Sequence, residues 1–233
     1  MHGPQLLFHP ARVAAASDET PLLRSMVLEV SPEVRASYRI AGQFVEVRLP
    51  GASTAAFFAV ANAPGNGALE LLIKRGQGLS DELAELEAGA WVETTLAMGK
   101  GFPVLESRGR DMLLFATGSG FAPIRASLQE ILRARSEYGA IDLFYGVRSQ
   151  VEFPYLDEFA TYEEQGVRVH RVVSKRTEND LAYAGYVQEK FREALPPVKN
   201  AVAFLCGQAG MIRGVREALA EAGLPADRIH LNL

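Results

Sequence analysis

The stretch that most constrains this chain runs from residue 111 to 133. An apolar run, Met112-Leu113-Leu114-Phe115-Ala116, gives way to Thr117-Gly118-Ser119-Gly120-Phe121-Ala122-Pro123. A segment with Ile124, Leu128, Ile131 and Leu132 at helical spacing follows. That order predicts a buried strand, a glycine turn and a helix. Proline suits a helix's first turn, where its missing N–H has no intrahelical partner in any case. The free N–H groups and partial positive charge of such a helix start favour an anion, and the two glycines let backbone come close to it. The spacing is G-x-G-x-x-P, not the dinucleotide fingerprint G-x-G-x-x-G. Taken alone, the signal is not specific, and a tight strand-to-helix turn without a ligand is the lesser, rival reading.

The surrounding rhythm decides its context. From residue 110 onward, strand-like segments at 112–116, 141–145, 167–173, 201–205 and 229–233 alternate with helical ones at 124–135, 189–194 and 211–222. Strands alternating with helices predict βαβ units and a doubly wound parallel sheet. Before residue 107 the chain reads as β structure: 26–30, 44–49, 56–60, 69–73 and 91–96, separated by turn signals such as Pro50-Gly51 and Ala63-Pro64-Gly65-Asn66-Gly67. This spacing predicts a small antiparallel barrel, of the six-stranded type, or a sandwich. One helix interrupts it, with Ser80 expected as N-cap and Gly89 as its stop. The polar connection Glu106-Ser107-Arg108-Gly109-Arg110 divides the chain into domains 1–108 and 109–233.

Composition removes several functions. A net charge of −4 with scattered Lys and Arg gives no basic face for nucleic acid. No apolar run approaches the roughly 20 residues a membrane helix requires. The N-terminus lacks the basic-then-apolar layout of a secretory signal, so a cytoplasmic location is the expectation. The single cysteine, Cys206, cannot form a disulfide within the chain or supply the roughly four thiolates of an iron–sulfur cluster. The four histidines never fall at metal-ligand spacing, so no metal site is expected. Gly99-Lys100-Gly101 is not a phosphate loop, because no Ser or Thr follows the lysine.

In an open parallel sheet, ligands sit beyond the carboxyl ends of the strands. Three small-residue exits occupy that place: Thr117-Gly118-Ser119-Gly120, Tyr145-Gly146-Val147-Arg148, and Cys206-Gly207-Gln208-Ala209-Gly210-Met211. Beyond the third strand, Ser174-Lys175-Arg176 places a hydroxyl and two cations where they hold a 2′-phosphate or simply face solvent.

Those exits, read in order with Ala41-Gly42-Gln43-Phe44-Val45, Gly185-Tyr186-Val187 and the Cys206-Gly207 pair with Met211 five residues after the cysteine, resemble the ferredoxin–NADP reductase family of flavoenzymes. Within it they are similar to the short, cluster-free members of the kiwi fruit-protein type. The resemblance covers nearly the whole chain. It implies FAD held mainly by the barrel, and NAD(P)H held by the second domain with its nicotinamide against the flavin.

For FAD the resemblance points to Phe57, Phe58 and Ala59, with Phe58 stacking on the ring system. Backbone N–H groups of Val60, Ala61 and Asn62 would meet the flavin edge. Ile73, Lys74, Gly76, Gly78, Leu79 and Ser80 would lie toward the pyrophosphate. For NAD(P) it points to Thr117, Gly118, Ser119, Gly120, Ala122 and Pro123, to Gly146 and Arg148, to Ser174, Lys175 and Arg176, and to Cys206, Gly207 and Met211. The Ser174-Lys175-Arg176 segment favours NADPH over NADH. No side chain is assigned as acid or base, because the chemistry belongs to the cofactors. Thr117 and Cys206 are expected to shape the nicotinamide pocket, Cys206 without acting as a nucleophile.

Two departures stand out. The family's Arg-x-Tyr-Ser/Thr flavin motif is here Ala56-Phe57-Phe58-Ala59, which lacks both the arginine and the hydroxyl. The final residues, Ile229-His230-Leu231-Asn232-Leu233, contain no aromatic to cover the flavin face. The reading is therefore an FAD-dependent NAD(P)H oxidoreductase with a separate small-molecule or protein electron acceptor. The alternatives are a nucleotide-binding regulatory or assembly protein, or a reductase subunit of a complex, in which flavin chemistry is weakened or lost. The sequence sets no oligomeric state.

Overall fold

A computed structural model describes residues 6–76, 78–175 and 182–232. Six antiparallel strands form the first sheet: β1 (His9–Thr20), β2 (Leu23–Val30), β3 (Phe44–Arg48), β4 (Ala56–Ala59), β5 (Leu69–Lys74) and β6 (Trp91–Thr94). Their spatial order is β4-β3-β6-β1-β2-β5. A bridge between Val60 and Leu71 joins the two outer strands, so the sheet closes into a barrel. Met26, Leu28, Val45, Val47, Leu71 and Ile73 fill it. Helix α1 (Pro32–Ser37) starts with the Ser31 hydroxyl accepting from the Val34 N–H and with a proline in the first turn. Helix α2 (Leu79–Ala84) begins earlier than expected. Its N-cap is Gly78, at φ +59° and ψ −135° where only glycine sits without strain, and Ser80 lies inside the helix.

The second sheet is parallel, in the order β10-β9-β8-β7-β11-β12. It comprises β7 (Asp111–Thr117), β8 (Ile141–Val147), β9 (Val167–Val173), β10 (Tyr183–Ala184), β11 (Ala201–Cys206) and β12 (Ile229–Leu231). Helices α3 (Phe121–Arg133) and α4 (Leu156–Glu164) cover one face, and α5 (Val187–Ala194) and α6 (Ala209–Glu221) cover the other. Alternation along β7 explains this. Met112, Leu114 and Ala116 point into the first layer, and Leu113 and Phe115 into the second. The chain winds from β7 outward to β9, then returns to place β11 on the other side of β7. The topological switch point thus falls between the carboxyl ends of β7 and β11.

The domains share apolar packing. Ala61, Leu72, Phe102 and Val104 from the barrel belong to the same buried cluster as α3. Phe102 stacks on Phe204 of β11 with ring centres 4.7 Å apart. Gln129 and Arg133 of α3 accept from Ala63 N–H and donate to Pro64 O, respectively.

Besides the short helix α1, which was not expected, three elements depart from the sequence reading. Strand β1 was not expected, because His9–Thr20 contains a run of alanines and few β-branched residues. It exists because β2 and β6 pair with it on either side. Helix α4 was also unexpected: it buries only Phe159 and Tyr162 and follows Tyr155 in the left-handed conformation, φ +54°. The third is the two-residue edge strand β10.

Candidate active site between the two domains

At the switch point two strand exits approach as closely as backbone allows. A methyl group on Gly120 would stand 2.5 Å from Cys206 O, and one on Gly207, whose φ is +153°, would collide with the Thr117 side chain and lie 2.9 Å from Thr117 N. The Thr117 hydroxyl accepts from the Gln208 N–H at 3.0 Å, tying the β7 exit to the start of α6. Tyr145 donates its hydroxyl to Gly118 O at 2.9 Å from within the core. Gly118 itself has φ +54° with open space where a Cβ would be. Its backbone is therefore bare toward the cleft.

Two adjoining cavities open there. One, about 450 Å³, lies between Phe57, Phe58, Ala59, Lys74 and Ser80 of the barrel and Thr117, Gly118, Ser119, Gly120, Ala122, Pro123, Cys206 and Gly207 of the second domain. The other, about 400 Å³, runs along the carboxyl ends of the strands past Gly146, Arg148, Ser174 and Met211, and is walled on the barrel side by Thr20, Leu22 and Leu23. Lys74, Thr117, Gly118 and Gln208 line both. Residues 100 positions apart in sequence thus meet in one cleft.

Other expected contacts are placed elsewhere. Val60 N–H donates to Gln43 O at 3.0 Å and Ala61 N–H to Glu70 O at 2.7 Å. Both donors are engaged inside the barrel, because this is where the sheet closes, so neither is available for a flavin edge. Asn62 holds its own loop: its amide donates to Ala68 O, its side-chain oxygen accepts from Glu70 N–H, and its carbonyl accepts from the Tyr38 hydroxyl. Ile73 is fully buried in the barrel core, and Leu79 packs against that core. Gly76 donates its N–H to Asp81; it and Gly78 stand outside the cavity walls. Lys175 is exposed and lines neither cavity. Arg176 lies outside the described residues.

The two phenylalanines divide differently from expectation. Strand alternation turns Phe58 inward opposite Val45, leaving it only 8% exposed. Phe57 is 66% exposed and meets Phe44 edge-on at 5.6 Å. The ring open to the cavity is chiefly Phe57.

Cys206 is half-buried, and burial pushes its thiol up to about 11, with a hydrogen bond from Asn232 opposing the shift. A thiol raised in this way lines the cavity as a small apolar wall. Sequence reasoning missed Gln208, Tyr186 and the Thr20–Leu23 hairpin end as lining residues. Gln208 and Tyr186 follow glycines at strand or helix boundaries, which is a usable signal. The hairpin end carries none, because it reaches the site only through domain packing. Among the described residues there is no cluster of His, Cys, Asp or Glu fit to hold a metal, and no helix is long and apolar enough to cross a membrane.

A family model described as an oxidoreductase NAD-binding domain matches residues 114–217. The reductase subunit of an aromatic O-demethylase from Amycolatopsis sp. is 31% identical, over 89% of this chain and 68% of its own length. The chain belongs to the ferredoxin–NADP reductase family. A fruit protein of Actinidia deliciosa, pKIWI502, is 27% identical over 94% of this chain and 74% of its own. The fold superposes on a ferredoxin–NADP reductase from Neisseria gonorrhoeae solved with bound FAD and NADP, with a TM-score of 0.83 over 97% of this chain and 98% of that one, at 19% identity. As a member of this family, the protein binds FAD and NAD(P) and is an NAD(P)H-dependent flavoenzyme that passes electrons to a ferredoxin or another acceptor.

Proposed function

We propose that the 450 Å³ cavity takes the flavin ring and that the 400 Å³ cavity takes the nicotinamide nucleotide. The observation that carries this assignment is their junction: Lys74, Thr117, Gly118 and Gln208 line both. Two ligands seated there lie against one another. The residues fit a flavin in part. Phe57 offers an open aromatic face, the bare Gly118 backbone allows close approach, and Lys74 and Ser80 face the cavity as polar groups. These residues would hold a flavin, which would supply the hydride-accepting and electron-relaying chemistry there.

The chain's own residues bind, orient and exclude water. The glycine turn Gly118–Gly120 that leads into α3 lines the cleft and would bring its backbone close to a phosphate. Gly207 and Gly120 let β7 and β11 approach closely enough that Thr117 and Cys206 form one wall. Arg148 and Ser174, both lining the nucleotide cavity, support a preference for NADPH, since a guanidinium pairs well with a 2′-phosphate. The division into an FAD-binding domain, 1–108, and an NAD(P)-binding domain, 109–233, rests on the short helical turn Leu105–Ser107 between the two sheets. The missing arginine at Ala56 leaves Lys74 as the cation lining the flavin cavity. FAD is accordingly held, but weakly.

The test is a visible spectrum of the purified protein. It should be yellow, or turn yellow with added FAD, and NADPH should bleach it without oxygen faster than NADH. Protein that stays colourless in excess FAD contradicts the assignment.

A further inference from the structure

Both cavities have the barrel as one wall and the parallel-sheet domain as the other, so their width depends on what holds the domains together. Arg125, the fifth residue of α3, stands at that junction and is 6% exposed. Its Nη1 donates to Ala61 O at 2.9 Å and to Glu70 Oε2 at 2.8 Å, both on the barrel. Its Nε and Nη2 donate to the two oxygens of Glu158 on α4, at 2.8 and 2.5 Å. The guanidinium lies over the Tyr155 ring, 4.0 Å from its centre. Each partner is held in turn. Glu70 accepts from Ser25 at 2.9 Å, the Tyr162 hydroxyl donates to Glu158, and Tyr155 N–H donates to Glu19 of β1 at 3.0 Å.

The placement of these contacts matters more than their number. Ala61 follows Ala59, a wall of the flavin cavity, by two residues, and Arg125 follows Pro123, the opposite wall, by two. Tyr155 and Glu158 sit just beyond Glu152, a wall of the nucleotide cavity. A buried cation between two carboxylates contributes little net stability, because desolvation offsets most of the attraction. What a planar fork with fixed donor directions does supply is geometry, and a lysine's single ammonium cannot reproduce it across three chain segments.

We propose that Arg125 is a positioning residue: touching neither cofactor, it sets the separation of the two cavity walls and so the approach of nicotinamide to flavin. The inference rests on the cavity assignment above. Two variants test it: Arg125→Lys, and the triple variant Arg125→Met/Glu70→Gln/Glu158→Gln, which leaves no carboxylate unpaired. FAD-loaded protein is mixed anaerobically with NADPH while the charge-transfer absorbance and the hydride-transfer rate are followed. NADP⁺ affinity and heat unfolding are measured by calorimetry.

Because misplacement of reacting atoms by a fraction of an ångström is costly, hydride transfer should slow by about tenfold to a hundredfold. The charge-transfer band should weaken with NADP⁺ affinity little changed, and heat unfolding, expected as one transition in the native chain, should divide in two. Should Arg125→Lys not fold, the triple variant carries the same comparison. An unchanged transfer rate and band, or an undivided transition in both variants, overturns the inference and leaves Arg125 a structural residue. A native chain that takes up no FAD counts instead against the cavity assignment, and the unfolding profile alone then decides.

Discussion

Replacing Gly207 with alanine perturbs the junction at its narrowest point. Two effects add. Gly207 sits at φ +153°, outside the range ordinary L-residues favour, and forcing a side chain into such backbone costs about 1–3 kcal/mol. The new methyl would also stand 2.7 Å from Met211 Cε and 2.9 Å from Thr117 N, and would collide with the Thr117 side chain. Ordinary carbon contacts are about 3.5–4.0 Å, so the overlap is roughly 1 Å. Met211 can swing away, but Thr117 N belongs to the central strand and cannot. Overpacking of this kind costs about 1–3 kcal/mol. The sum, about 2–6 kcal/mol, is a large share of the roughly 5–15 kcal/mol that stabilises a typical protein.

The control is Gly210→Ala, three residues along in α6, where an added methyl meets nothing. There alanine should be neutral or stabilise by up to about 1 kcal/mol through reduced chain entropy. Urea unfolding of both variants gives the stability difference, and calorimetry with NADP⁺ gives the binding. Gly207→Ala should lose at least about 2 kcal/mol and bind NADP⁺ at least about tenfold more weakly, since each 1.4 kcal/mol is a factor of ten. If Gly207→Ala matches Gly210→Ala in stability and the native chain in NADP⁺ binding, the close approach of β7 and β11 is not what shapes the site.

Other outcomes follow from the same geometry. Lys74→Gln should weaken FAD and NADP⁺ together, each by about 1 kcal/mol, and should lessen the salt dependence of both; an effect on one ligand alone refutes the shared wall. Burial raises the Cys206 thiol to about 11, so alkylation by iodoacetamide should stay slow at pH 8 and accelerate only above about pH 10. The same raised value means that the protonated thiol favours the fold, and this contribution is lost as pH rises from the unfolded value of 9.0 toward 11. Thiolate-like reactivity at neutral pH would contradict that burial.

Asp142 is buried in β8, which pushes its carboxyl up. Hydrogen bonds from His170 at 2.9 Å and Arg168 at 2.7 Å, with their charges, outweigh burial and hold it below the usual carboxylate range. Its contribution is present above the unfolded value near 3.8 and is lost as pH falls through the depressed one. Asp142→Asn should therefore destabilise by about 1–3 kcal/mol at neutral pH and flatten the acid limb of the stability profile. An unchanged acid limb would show the pairing to be inert.

The strong periodic segments were readable without any structure. The 112–116 run, the glycine turn and the amphipathic segment after it fix a strand–turn–helix unit, because Leu113 and Phe115 alternate with Leu114 and Ala116, and Ile124, Leu128 and Ile131 share one helix face. The weakly patterned elements were not. Alanine-rich β1 has no strand preference of its own and is a strand because two neighbours supply its hydrogen bonds. Helix α4 carries two buried aromatics, too few to announce a period. Ser80 satisfies the preference for a helix cap, yet Gly78 takes the position, because the chain enters α2 through a backbone conformation closed to serine.

By itself, then, the sequence determined the local units, their barrel-then-βαβ order, and the three small-residue strand exits where a nucleotide fits. It could do so because periodicity and glycine placement are properties of adjacent residues. Tertiary structure decided the rest. The fate of the Val60 and Ala61 N–H groups depends on a sheet closing on itself, and which phenylalanine is open to the cleft depends on the register of β4 against β3. The meeting of Lys74 with Thr117 and Gln208, and of Arg125 with Ala61 and Glu70, depends on one domain packing on another. Those pairs lie 43 to 134 positions apart in the chain, and nothing local encodes the distance between them.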